Sequence, residues 1–110
     1  MKGVFMENNS SSIQPSKVEE FTQIVNEMAQ LYKQKNENYG DSFSKLYETL
    51  GPISGLVPLH NKLDRITNLI KNANETTNHF ESIEDTLRDL ACYAIMYLIE
   101  LKGDNNINHD

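Results

Sequence analysis

Apolar residues recur at helical spacing through most of the chain. Val18, Phe21, Val25, Met28 and Tyr32 follow a three-and-four spacing, with Ile24 and Leu31 widening the stripe. This predicts a first helix over about Ser16 to Asn36. Ser16 with Glu19 three residues on makes a capping box. The segment ends in Lys35-Asn-Glu-Asn-Tyr-Gly-Asp-Ser42, where Gly40 can take a positive φ and Asp41 or Ser42 can cap the next helix. A short second helix is predicted from Phe43 to Leu50, broken by Gly51-Pro52. A third starts near Leu56 to Leu59, with Pro58 in its first turn and a stripe of Leu59, Leu63, Ile66 and Ile70. Asn72 to Asn78 reads as a polar loop.

The fourth helix is predicted over about Glu81 to Lys102. Ile83, Leu87, Leu90, Ala94, Leu98 and Leu101 form its main apolar face. Cys92, Tyr93, Met96 and Ile99 make its C-terminal half apolar on the other side as well. A helix apolar all round is buried all round, so one side is expected to meet a second subunit, through some of Cys92, Met96 and Ile99. Residues 1–16 are rich in Asn and Ser without periodicity and read as a disordered arm. Residues 103–110 read as a disordered tail, with Gly103 as the helix stop. Residues 17–102 then form one helical domain. No strand pattern of useful length is present. The expected fold is all-α, a compact bundle of about four helices, oligomeric as a homodimer or higher.

Composition narrows the function. The 110-residue chain has a net charge of −6. That disfavours a duplex nucleic acid, whose phosphates need a basic face, but leaves room for a single nucleotide. Cys92 is the sole cysteine, so no disulfide forms within one chain, and no Cys/His cluster has zinc spacing. The longest uncharged run, Leu90 to Ile99, is too short to span a bilayer, and the N-terminus lacks a signal-peptide pattern. A cytosolic, membrane-free protein is the expectation.

The candidate chemistry sits on the third and fourth helices. Glu81, Asp85 and Asp89 recur every four residues and stack along one stripe, where like charges repel. With Glu84 nearby, carboxylates so placed suit Mg²⁺ bridged to nucleotide phosphates. A solvated helix start, its acids complementing the helix dipole, has the same pattern. Lys62 and Arg65, one turn apart on the third helix, suit a phosphate clamp or ion pairs with those acids. Tyr39 and Phe43 flank a Gly-Asp-Ser turn. Tyr39 can stack on a base, and the turn amides can touch phosphate. No Gly-rich phosphate loop and no nucleophile motif is present.

The blocks Lys35-Asn-Glu-Asn-Tyr-Gly-Asp-Ser-Phe43, Asn61-Lys-Leu-Asp-Arg-Ile66 and Glu81-Ser-Ile-Glu-Asp-Thr-Leu-Arg-Asp-Leu-Ala-Cys-Tyr-Ala-Ile95 resemble the nucleotide modification associated domain 1 family. The resemblance extends over roughly Val18 to Leu101. It implies a compact helical protein of phages and prophages, acting in nucleotide metabolism or modification in the host cytosol. By its pattern Tyr39, Gly40, Ser42, Lys62 and Arg65 would bind the ligand, and Glu81, Asp85 and Asp89 the metal. A remoter likeness is to the MazG-type all-α nucleotide pyrophosphohydrolases, which hold Mg²⁺ on acidic pairs of neighbouring helices. Here the acids gather on one helix, and the separate upstream Glu-x-x-Glu is missing. The function is expected to be one of three. One is nucleotide binding with Mg²⁺-dependent processing. The second is sequestration, without turnover, of a nucleotide such as a host immune signal. The third is a helical adaptor for a host protein.

Overall fold

The computed structural model describes residues 14–39, 41–72 and 79–108, with side chains over 14–37, 41–72 and 82–104. The order of elements is α1 (Lys17–Tyr39), α2 (Ser42–Leu50), a 3-10 turn (Pro52–Gly55), α3 (Leu56–Lys71) and α4 (His79–Asn108). The fold is all-α, with no strand among the described residues. The chain divides into two units, Met1–Leu31 and Tyr32–Asp110.

The first unit holds most of α1. Its capping box forms as the sequence predicts: the Ser16 amide donates to the Glu19 carboxylate at 2.8 Å, and the Glu19 amide donates to the Ser16 hydroxyl at 3.1 Å. Two orphan amides at the helix start are thereby satisfied. Met28 is buried, while Val18 and Phe21 stay exposed. The expected arm lies outside the described residues up to position 13.

In the second unit, α3 and α4 run antiparallel. Residue 62 meets 89, residue 65 meets 86, and residue 55 meets 97. Ile66, the central residue of the α3 stripe, is buried. Leu63 and Ile70 of the same stripe are more than half exposed.

The face that α4 presents to its neighbours is only partly the aliphatic one. Thr86 is buried against Arg65 of α3. Tyr93 packs on Phe43 of α2, and Tyr97 meets Tyr47 of α2 edge-on at 6.3 Å between ring centres. Glu100 and Asp104 accept hydrogen bonds from Ser44 and Tyr47. These α4 positions are spaced at sevens, fours and threes, so they share one stripe. The expected main face divides: Ile83 and Leu90 fall on this stripe and are half-buried, while Leu87 is 49% exposed and Leu98 56%. Of Cys92, Met96 and Ile99, expected at a subunit interface, the first two are half-buried within the chain and Ile99 is 52% exposed. Aromatic rings and hydroxyl–carboxylate bonds won this contact because α2 supplies matching groups.

The same bonds correct the end of α4. The helix continues through Gly103 to Asn108 instead of stopping at Lys102. Glycine permits a stop but does not impose one. The Tyr47 hydroxyl donates to Asp104 at 2.6 Å, one residue past the supposed stop, and ties that turn to α2. The Tyr47 phenol is pushed up to about 12, first by its bond to Asp104, then by burial and by the charges of Asp104, Tyr97 and Glu100. Folding thus favours the neutral phenol. Its contribution is full below the ordinary phenol value and is lost as pH rises from 10 through 12.

Two glycines have specific roles in this unit. Gly51 takes φ 90° between α2 and the 3-10 turn, a conformation side chains disfavour. Its amide bonds back to the Tyr47 carbonyl at 2.8 Å. Gly55 carries the closest approach: a Cβ there would sit within 2.4–2.8 Å of the Tyr97 ring.

Gly55→Ala should destabilise the fold by about 1–3 kcal/mol, because the ring must leave its place between the 3-10 turn and α2. Urea denaturation checks this, and restoration by a smaller residue at position 97 would tie the loss to that contact. In a tyrosinate absorbance titration, the highest-pH step should vanish in Tyr47→Phe.

Candidate functional site

The α3–α4 seam holds Lys62 and Arg65, two of the residues that the sequence marks for ligand binding. The Lys62 ammonium lies 3.2 Å from the Asp89 carboxylate. Lys62 sits at the edge of the packed α3 face, its side chain 29% exposed, so the pair is screened less than a surface pair. One turn on, the Arg65 Nε donates to the Thr86 hydroxyl at 3.3 Å. Thr86 in turn donates to the Ser82 carbonyl at 2.6 Å. A buried hydroxyl that gives one bond and takes another is well satisfied, and it fixes the root of the Arg65 guanidinium. Arg65 makes no ion pair among the described residues and is exposed.

Arg65 also lines a polar groove of about 290 Å³ with Asn61, Asp64, Asn68, Leu69 and Asn72. Three carboxamides, a carboxylate and a guanidinium give this groove donors and acceptors on successive turns of α3.

The acids do not behave alike. Asp89 is taken by Lys62. Glu84 pairs with Arg88 one turn on, 3.6 Å away. Asp85 is exposed and makes no ion pair among the described residues. Among the described residues no three carboxylate, His or Cys side chains gather as a metal ion would require. The Glu81 side chain lies outside the described residues, as do the Tyr39 side chain and Gly40. Ser42 is exposed at the first turn of α2, and Asp41 before it makes no side-chain cap bond. The structure therefore joins Lys62 to Asp89, places Arg65 one turn away, and leaves Asp85 outside both contacts.

Two features were not marked by the sequence. Thr86 looks like a neutral residue between acids, and only its burial reveals that it anchors Arg65. Lys35, at the end of α1, acts on Cys92. Burial pushes the Cys92 thiol up, the Asp89 charge adds to this, and Lys35 offsets part of it.

The family profile described as nucleotide modification associated domain 1 matches residues 35–101. The chain belongs to this family. The match begins at Lys35, later than the resemblance over Val18 onward, and covers α2, α3 and most of α4. No curated protein matches the chain, and no solved structure does. The family description associates the domain with nucleotide modification. No helix among the described residues is long and apolar enough to cross a membrane.

Thr86→Val should destabilise the protein by about 1–3 kcal/mol, since it keeps the volume but deletes a hydroxyl with two bonds. Denaturant unfolding reads that loss. Thr86→Ser should recover most of it.

Proposed function

We propose that the α3–α4 seam binds a nucleotide or a nucleotide-derived small molecule, with the phosphates at Arg65 and Lys62. The observation that carries this reading is the exposed guanidinium of Arg65, fixed at its root by Thr86 and one turn from the Lys62 ammonium. A planar guanidinium offers two parallel donors to a phosphate, and the ammonium adds a point charge beside it. The groove carboxamides of Asn61, Asn68 and Asn72 supply the paired donors and acceptors that base edges require. The family's association with nucleotide modification supports a nucleotide over a protein ligand. Tyr39, Gly40 and Ser42 join the site in this reading as base-stacking and phosphate-contacting groups.

Binding without turnover is favoured over processing by the state of the acids. Of Glu84, Asp85 and Asp89, the first forms an exposed pair with Arg88 and the last pairs with Lys62. Asp85 alone is open, with Glu81 four residues before it on the same stripe. That donor set does not make an all-protein metal cage. It fits the sparser pattern of Mg²⁺, which keeps waters and takes one or two carboxylates plus substrate phosphates. Asp85 and Glu81 would hold the ion, and it would supply charge neutralisation at the phosphates.

Calorimetric titration with nucleoside mono-, di- and triphosphates, each with Mg²⁺ and with chelator, tests the reading. Arg65→Ala should weaken the best ligand by roughly 10- to 100-fold, the value of one charge-assisted contact. Asp85→Asn should leave affinity in chelator unchanged and remove any gain from Mg²⁺. Recovery of unaltered ligand supports sequestration, and a converted product supports processing. No binding by any phosphate-bearing nucleotide would end the proposal.

A further inference from the structure

The outward face of α4 is built as a seam and has no occupant among the described residues of its unit. Leu87, Ala91, Ala94, Leu98 and Leu101 follow strict four-and-three spacing, the pattern of a two-helix interface. It lies about 100° round the helix from the stripe of Thr86, Tyr93, Tyr97 and Glu100 that α2 and α3 use. Leu87, Leu98 and the neighbouring Ile95 are each about half exposed, and Ala94 is exposed. Lys102 is the one charge at the C-terminal end of this strip, and Glu84 with Arg88 stands at the other end. The strip covers about 21 Å of helix. An aliphatic strip of that length is not the surface of a helix that faces water.

The order of side chains names the occupant. Leu87-Ala91-Ala94-Leu98 reads the same in both directions about the point between Cys92 and Tyr93. Two copies laid antiparallel across a two-fold axis at that point would bring Leu87 opposite the partner's Leu98, and Ala91 opposite the partner's Ala94. The alanines allow close approach in the middle while the leucines fill the ends. The charges select the same arrangement. Glu84 continues the four-and-three series one position upstream of Leu87, so parallel helices would set it against its own copy in the seam. The antiparallel pair sets Glu84 opposite the partner's Leu101 instead and so avoids that repulsion.

We infer that a second copy of this chain docks on the outward face of α4 and pairs the two helices antiparallel about Cys92–Tyr93. The expected subunit contact moves from Cys92 and Met96 to Leu87, Ala91, Ala94 and Leu98. An isologous interface of this kind closes on itself and yields a dimer.

Light scattering of the full chain at tens of micromolar should return twice the chain mass. Ala94→Glu should return the chain mass with an unchanged helical circular dichroism spectrum, because position 94 is exposed in a single copy. Orientation is read by cysteines in a Cys92→Ser background. Oxidising a mixture of Ala91→Cys chains and Ala94→Cys chains should link one kind to the other far more than each kind to itself. A wild-type monomer, a dimer that survives Ala94→Glu, or preferential like-to-like linkage would each overturn the inference.

Discussion

The close contact between Gly55 and the Tyr97 ring sets the register of the second unit. Because no side chain intervenes at position 55, the start of α3 can lie flat against α4. The helices then run antiparallel from that point, and each later pairing falls in place. Lys62 reaches Asp89, and Arg65 reaches Thr86. A shift of one residue along α4 would put Arg65 opposite Leu87 and strand its guanidinium against an aliphatic chain. The candidate ligand site is thus a by-product of a packing contact two turns away. The chemistry of the seam does not position itself.

The neutral member of the acidic run has the larger structural role. Thr86 sits between Asp85 and Leu87 and carries no charge, yet it is the residue through which α4 grips Arg65. The acids around it divide by environment. Asp89 bridges to Lys62 of the neighbouring helix, with its own carboxylate 42% exposed. Glu84 forms an exposed pair within its own helix, worth little. Among the described acids of this run, Asp85 is the one with no ion pair.

The helices were legible in the sequence because their periodicity is strong. The capping box of α1 and the Gly-Pro break after α2 were equally plain, since each rests on local chemistry. The inward face of α4 was legible only in part. Counting apolar residues selects Ile83 and Leu90, which do lie inward, together with Leu87, Ala94 and Leu98, which do not; Tyr93, Tyr97 and Glu100 take their place. Periodicity finds a face but cannot weigh aliphatic area against rings and hydroxyls offered by another helix. The end of α4 was misread for the same reason: Gly103 speaks locally, while Tyr47 holds the next residue from a distance. Of the candidate site, the Lys62–Asp89 pairing followed from helix faces, and the anchoring of Arg65 did not, because burial at Thr86 has no sequence signature.

The C-terminal turns of α4 carry Glu100 and Asp104 at the end where the helix dipole is itself negative. Neither carboxylate is exposed: Glu100 accepts from the Ser44 hydroxyl and Asp104 from the Tyr47 hydroxyl. Those bonds tie the last turns of α4 to α2. The two elements are one cooperative unit. Loss of α2 would shorten a helix whose end lies more than fifty residues along the chain.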